Sequence, residues 1–347
     1  MKLVVTVDVE EDQWGIVPHG RATARNVHRL PILQKLLNEF GIIPTYLLSY
    51  PVMRDPYAVE ILREIFAAGE CEIGAHCHPW NTPPYDEPLT KHNSMLCNLS
   101  PTLQFQKLQR LHAAIQDNVG VAPVAFRSGR WGFDVEVARN IMRLGYRLDT
   151  SVTPYTSWAQ ASGPDFCCVS PQPYSFTPDL LPDGSFSDML TEIPATIGYL
   201  HGEFGACAEW VKTLTRGPLR GFKLSGLLSR VNLLRKVWLS PEMETSARMM
   251  QLVRQMRVQG YELLNLVFHS SALLEGCGPF VRSQSEEQAF MRRLSAFLHS
   301  ALKDGVVFVP LSESAKDISP LAGEAVATRD CSSLVTGCSA DLAHPFM

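Results

Sequence analysis

Lys2-Leu3-Val4-Val5-Thr6-Val7-Asp8-Val9-Glu10-Glu11-Asp12, residues 2 to 12, passes from an apolar run into a cluster of carboxylates. The run Leu3–Val9 predicts a strand, and side chains two apart in a strand share a face. Asp8 and Glu10 therefore stand together while Val9 packs opposite. A carboxylate flanked by valines inside such a run is rarely left unpaired, which makes Asp8 the first candidate functional residue. Glu11 and Asp12, just beyond it, read as a solvated acidic loop.

Moving outward, further strand-like runs occur at Ile42–Leu48, Cys71–His76, Ala122–Arg127, Tyr146–Ser151, Leu190–Ile197, Leu263–Phe268 and Val306–Pro310. Between them lie helical patterns at Val27–Phe40, Tyr57–Ala68, Pro101–Val119, Asp134–Leu144, Glu244–Gln259 and Glu286–Leu302. Glycine follows several of these helices, as at Phe40-Gly41 and Ala68-Gly69, where a left-handed cap suits it, and Ser100-Pro101 is an N-cap followed by proline at the first helical position. Repeated strand-then-helix units predict parallel strands covered by helices. The fold class expected is α/β: a distorted (β/α)7-8 TIM-like barrel, a single domain over residues 1–316. Two stretches break the rhythm. Residues 153–188, rich in Pro, Ser and Asp, read as a long surface insertion. Residues 201–240 form a basic insertion whose Gly221–Leu239 portion mixes Leu and Val with Arg and Lys as an amphipathic helix would. That insertion is a candidate contact for an anionic ligand or a membrane surface, with a solvated helix hairpin as the alternative. Residues 317–347 read as a disordered tail.

In such a barrel the active groups come from the carboxyl ends of several strands, and the polar residues that end these runs are candidates for that reason. The third run ends His76-Cys77-His78-Pro79-Trp80. His76 and His78 again share one face, and two imidazoles plus a carboxylate make the three-ligand set of a catalytic zinc site with a position left open. The fourth ends Arg127-Ser128-Gly129-Arg130-Trp131; an arginine there needs a carboxylate, and Asp8 is the partner expected. Arg130 reads as an exposed loop residue. Asp149 lies inside the fifth run, with a turn or cap role as the alternative. His269 ends the run before last and is a candidate general acid or base.

Composition narrows the classes. Of 347 residues 46% are hydrophobic and 19% charged, with 31 Lys and Arg against 35 Asp and Glu for a net charge of −4. That balance gives no reason to expect a nucleic-acid partner. Nine cysteines, an odd number without a CxxC pair, together with an N-terminal run too short for a signal peptide, lead to the expectation of a cytoplasmic protein with reduced thiols.

Taken in order over roughly Lys2–Glu313, these segments resemble the NodB-homology polysaccharide deacetylases, a carbohydrate-esterase family with a distorted (β/α) barrel. The resemblance implies that Asp8, in Thr6-Val7-Asp8-Val9-Glu10, is the catalytic base. Val9 stands where the family has a second, metal-binding aspartate, so that role moves to Glu10. The family's H(S/T)xxH pattern is replaced by His76-Cys77-His78, with Trp80 where the later histidine would stand. His76 and His78 are then the remaining ligands, His92 being the second choice for the last. Arg127 maps onto the family's arginine and Asp149 onto a further aspartate. Leu266-Val267-Phe268-His269 supplies an apolar wall for the acyl methyl at Leu266 and the catalytic acid at His269. Trp80 and Trp131, with Trp14 and Trp158 as further rings, are expected to stack on sugar.

The activity implied is removal of an N-acyl group, N-acetyl first, from an amino-sugar or glycan precursor, with a divalent metal, zinc by its ligand set. A C–N hydrolase on a non-sugar amide and an inactive glycan-binding module are the alternatives.

Overall fold

The computed structural model describes residues 1–13, 22–178, 189–216 and 235–318. Trp14, most of the 317–347 tail, and Arg230 with the greater part of the expected amphipathic helix lie outside the described residues. Seven parallel strands form a curled sheet in the order β10 (Leu263–His269), β1 (Lys2–Val9), β2 (Thr45–Leu48), β3 (Glu72–Cys77), β4 (Ala125–Ser128), β5 (Leu148–Asp149) and β7 (Leu190–Glu192). An antiparallel β6 (Tyr174–Phe176) borders β7, and β11 (Val307–Phe308) pairs with Lys2 and Leu3 at the start of β1. The helices α1 (Leu30–Asn38), α2 (Pro56–Ala67), α3 (Pro101–Val119), α4 (Val135–Arg143), α6 (Ser246–Val258) and α7 (Gln284–Lys303) alternate with these strands. The architecture is a distorted (β/α) barrel. Among the described residues it is not laddered all the way round. Between β7 and β10 the seam is bridged instead by Thr196 N–H donating to the Asn265 carbonyl (3.2 Å) and Val267 N–H to the Leu239 carbonyl (3.1 Å).

Strand parity sorts the side chains. Leu3, Val5, Val7 and Val9 face the helices in the main core, whereas Val4, Leu47, Ala125, Leu148, Ile193 and Leu311 form a small separate cluster within the barrel. Along β1 the inward positions after Val4 are Thr6, Asp8 and Glu10, so one strand carries the interior from apolar plug to polar rim. The helix ends follow local chemistry. The Ser100 hydroxyl accepts from Leu103 N–H (3.4 Å) with Pro101 at the first position, and Gly41 and Gly69 take φ of 64° and 73° past the ends of α1 and α2.

Three expectations need correction. The run Leu190–Ile197 is not one strand: Pro194, which has no N–H for a ladder, separates β7 from β8 (Ile197–Tyr199), which joins a different sheet. Residues 153–178 are no loose surface loop, for Thr153, Trp158 and Phe166 are buried and Trp158 Nε1 donates to the Thr153 hydroxyl (2.9 Å). In the basic insertion α5 (Phe204–Arg216) is helical, but Lys236–Trp238 forms β9, antiparallel to β8, and not the end of a helix. Pairing to β8 overrides the helical pattern there. Lys236 Nζ donates to the Tyr155 carbonyl and the Thr156 hydroxyl, both at 3.0 Å, and Arg235 pairs with Glu244 at 3.3 Å. These two cations are used inside the fold.

Candidate active site

At the carboxyl end of β1 the side chain of Asp8 meets β4. Arg127, fully buried, donates from Nη1 to Asp8 Oδ1 (2.7 Å), from Nη2 to Thr6 Oγ1 (2.6 Å) and from Nε to the Thr150 carbonyl (3.1 Å). Every arm of the guanidinium has an acceptor, which is what lets a cation sit in the barrel interior. Burial opposes the charge on Asp8, but Arg127 first, and then His76 and His269, outweigh it and hold the carboxyl below its ordinary value. Its other oxygen, Oδ2, stands 3.6 Å from His269 Nε2. His269 is the register partner of Asp8 across the β1–β10 ladder, so main-chain pairing sets this approach.

His269 is oriented by a residue that the sequence did not single out. Its Nδ1 donates to Glu242 Oε2 (3.0 Å), and its backbone N–H donates to Glu242 Oε1 (3.0 Å). With Nδ1–H held, Nε2 is the atom turned toward Asp8. Asp149, expected near His269 or Arg127, bonds to neither. Its carboxylate accepts from Ser151 N–H (2.9 Å) and Ser151 Oγ (2.7 Å) and pairs in register with Glu192 on β7. Phe126 is its register partner on β4, one position before Arg127 and of opposite parity, so Asp149 faces away from the interior. Leu266 is corrected on the same ground. It lies three positions before His269, and an odd offset in a strand reverses the face, so it packs in the main core against the helices and cannot wall an acyl pocket.

Glu10, His76 and His78 come together as the sequence implies, all three buried, with ligand atoms within 4.8 Å of one another. Glu10 Oε2 lies 3.7 Å from His76 Nε2 and 3.5 Å from His78 Nε2. Ligands of a tetrahedral zinc, with bonds near 2.1 Å, stand about 3.4 Å apart along an edge, close to these separations. The far sides of both rings are fixed. His76 Nδ1 donates to the Arg127 carbonyl (3.1 Å), and His78 Nδ1 faces Glu11 Oε1 at 3.4 Å. Each ring is thereby held by its Nδ1 with Nε2 toward the cluster, the arrangement of a metal ligand supported from behind. Burial pushes His76 down to about 3, which keeps it neutral and able to donate a lone pair. The donor set fits a divalent metal.

Glu11 and Asp12 are buried, contrary to the solvated loop expected. Glu11 also accepts from Ser49 Oγ (3.1 Å) and from Asn81 Nδ2, so its task is to hold His78. Asp12 accepts from Thr23, Arg25 and Asn26 and ties the strand end to the chain before α1. Trp80 stacks on His78 (centroids 4.2 Å, interplanar 29°), and Trp131 lies 5.2 Å beneath the Arg127 guanidinium and 5.8 Å from Trp238. Both rings are buried and occupied in packing, so neither offers the open face that sugar stacking needs, and Trp158 is likewise buried. His92 is exposed and outside the cluster. Gly129 closes the back of the site, for a Cβ there would lie 1.9 Å from His78 Cδ2. Arg130 and Trp131, which follow it, have φ of 53° and 62°, and Arg130 is half-buried where an exposed residue was expected.

No family model matches the sequence, and no curated protein is similar to it. Among solved structures, 4-alpha-glucanotransferase from Thermococcus litoralis aligns with a TM-score of 0.52 at 12% identity, over 92% of this chain and 41% of that one. A protein assigned as a polysaccharide deacetylase from Pseudomonas aeruginosa aligns with a TM-score of 0.49 at 14% identity, over 91% and 89% of the two chains. Another so assigned, from Mycobacterium smegmatis, gives 0.48 at 19% identity, over 85% and 79%. These likenesses concern the fold, the distorted barrel described above.

Proposed function

We propose that this chain is a metal-dependent amide hydrolase that removes an N-acyl group, N-acetyl first, from an amino sugar or glycan precursor. The observation that carries the reading is the juxtaposition at neighbouring strand ends of a ligand cluster, Glu10 with His76 and His78, and a candidate acid–base pair, Asp8 with His269. Structural packing alone does not call for five buried ionisable side chains at one barrel mouth.

A divalent metal held by Glu10, His76 and His78 would polarise the amide carbonyl and acidify a bound water. Asp8, kept ionised by Arg127, accepts the proton of the attacking water on Oδ2, the oxygen that Arg127 Nη1 leaves open. That proton passes from Asp8 Oδ2 to His269 Nε2, 3.6 Å away, and on to the departing amine, and Glu242 at Nδ1 balances the imidazolium while the ring carries it. Thr6 and the Thr150 carbonyl keep Arg127 from turning away as Asp8 changes charge.

The test is acetate release from N-acetylated sugars and chitooligosaccharides, with metal content measured in the same preparations. Wild type should release acetate and hold about one metal per chain, Asp8→Asn should keep the metal and lose turnover, and His76→Ala should lose both. Undiminished release by Asp8→Asn, or equal metal content in wild type and His76→Ala, overturns the reading. Hydrolysis confined to non-sugar amides selects the alternative C–N hydrolase.

A further inference from the structure

We propose that Arg130 receives an anionic group of the substrate, a phosphate or carboxylate carried by the sugar, beside the acyl group to be cleaved. This rests on the hydrolase reading above and narrows its substrates to acidic amino sugars. Three independent features meet at this residue. The first is position: Gly129, the preceding residue, is pressed against the His78 imidazole so closely that no Cβ fits, which puts Arg130 one peptide from a ligand of the candidate metal. The second is the backbone. Arg130 and Trp131 are consecutive non-glycine residues with φ of 53° and 62°, a conformation that L side chains adopt at some cost and that tends to persist where function demands it.

The third is a missing counter-charge. Arg130 is half-buried and its Nε is shielded from solvent, yet among the described residues that atom has no hydrogen-bond acceptor and the guanidinium joins no ion pair. Arg127, three residues earlier, shows what this fold does with a structural arginine, saturating it with a carboxylate, a hydroxyl and a carbonyl. Burial acts on Arg130 with no carboxylate among the described residues to offset it, and it lowers the guanidinium below its ordinary value. A planar fork of donors, half-buried and without a partner among the described residues, on the residue that follows Gly129, is matched by the paired oxygens of a phosphate or carboxylate.

The test is calorimetric titration of the metal-loaded protein with glucosamine, glucosamine 6-phosphate and glucuronic acid, for wild type, Arg130→Gln and Arg130→Lys. Acetate release from N-acetylglucosamine and its 6-phosphate is measured alongside. Wild type should bind at least one charged sugar about tenfold or more tighter than glucosamine. The preference should collapse toward unity in Arg130→Gln and survive in part in Arg130→Lys, which also serves if the glutamine variant fails to fold. The phosphate and carboxylate arms tell the two sources of charge apart. Equal affinities in wild type, or an undiminished preference in Arg130→Gln, overturn the assignment, whereas a preference abolished by Arg130→Gln in a protein that releases no acetate upholds it and overturns the hydrolase reading instead. Binding of none of the sugars overturns both.

Discussion

On the hydrolase reading, Asp8, Glu10 and their partners divide into groups that would do chemistry and groups that aim them, and substitution separates the two. Glu242 bonds to His269 through both carboxylate oxygens, so Glu242→Gln keeps a partner for Nδ1 while removing the charge that balances an imidazolium. Turnover is expected to fall by about 10²-fold, the lower end of general-acid contributions, with metal content unchanged. Gly129→Ala acts on the other side of the site. A methyl group at 1.9 Å from His78 Cδ2 must move the ring, so metal affinity should drop by about 10- to 100-fold, read by competition with a chromophoric chelator. At this scale much was legible. Parity alone ties Asp8 to Glu10 and His76 to His78, because two residues per repeat is a property of any extended chain. Parity also identifies Thr6 as facing Arg127, a residue passed over because a threonine in a strand attracts no notice. Glu242 had no such mark: it follows Ser240-Pro241 outside any periodic run, and only the tertiary approach to His269 gives it a role.

Elements show where burial of charge is supported and where it is not. Lys107 on α3 is fully buried, yet its Nζ donates to the carbonyls of Pro79 (2.9 Å), Thr82 (2.8 Å) and Pro84 (2.5 Å) and pairs with Glu87 (2.8 Å). It clamps the segment 79–87, which carries Trp80 and Asn81 behind His78. Lys107→Met strips a buried carboxylate of its partner and should cost about 3–5 kcal/mol in denaturant unfolding, with metal affinity falling as His78 loses its support. The β5–β7 pair behaves differently. Asp149 and Glu192 face each other in register with no cation among the described residues bonded to either, and burial, with Asp149 adding, pushes the Glu192 carboxyl well above its ordinary value. A raised folded value means that the fold favours the protonated acid. That stability is complete below the unfolded carboxyl range near pH 4 and is lost as pH rises toward the folded value. Glu192→Gln should therefore stabilise the protein, by on the order of 1 kcal/mol at pH 8 and by progressively less toward pH 4, seen as melting curves that converge on acidification. The strand at Tyr146–Ser151 is shortened to Leu148–Asp149, the two positions at which β4 and β7 both pair with it, a limit set by distant segments and invisible in local pattern.

Over the whole molecule, the same strand ends that build the barrel also gather the Glu10–His76–His78 cluster, so binding of a metal there would be linked to folding. Binding to the native state alone stabilises by RT ln(1 + [L]/Kd), about 2.7 kcal/mol at a hundredfold excess over Kd. Chelator treatment should accordingly lower the melting temperature of wild type and leave that of His76→Ala unmoved, a comparison that reads ligation without any substrate. The barrel itself was legible because repeated strand-then-helix patterning and glycine stops mark each unit; its incomplete ladder was not, since proline at 194 interrupts a run that otherwise reads as one strand. That interruption has a consequence for how such a site can diversify. Glu10, His76, His78, Asp8 and Arg127 all stand on strands joined by continuous parallel pairing, whereas Glu242 arrives from beyond the β7–β10 gap, on the chain leaving β9. The carboxylate behind His269 is thus mounted apart from the Glu10–His76–His78 cluster and from His269 itself, which shares the β1–β10 ladder. Insertions or deletions in the chain that crosses the gap can re-aim or exchange the carboxylate behind His269 while the ligand cluster keeps its shape.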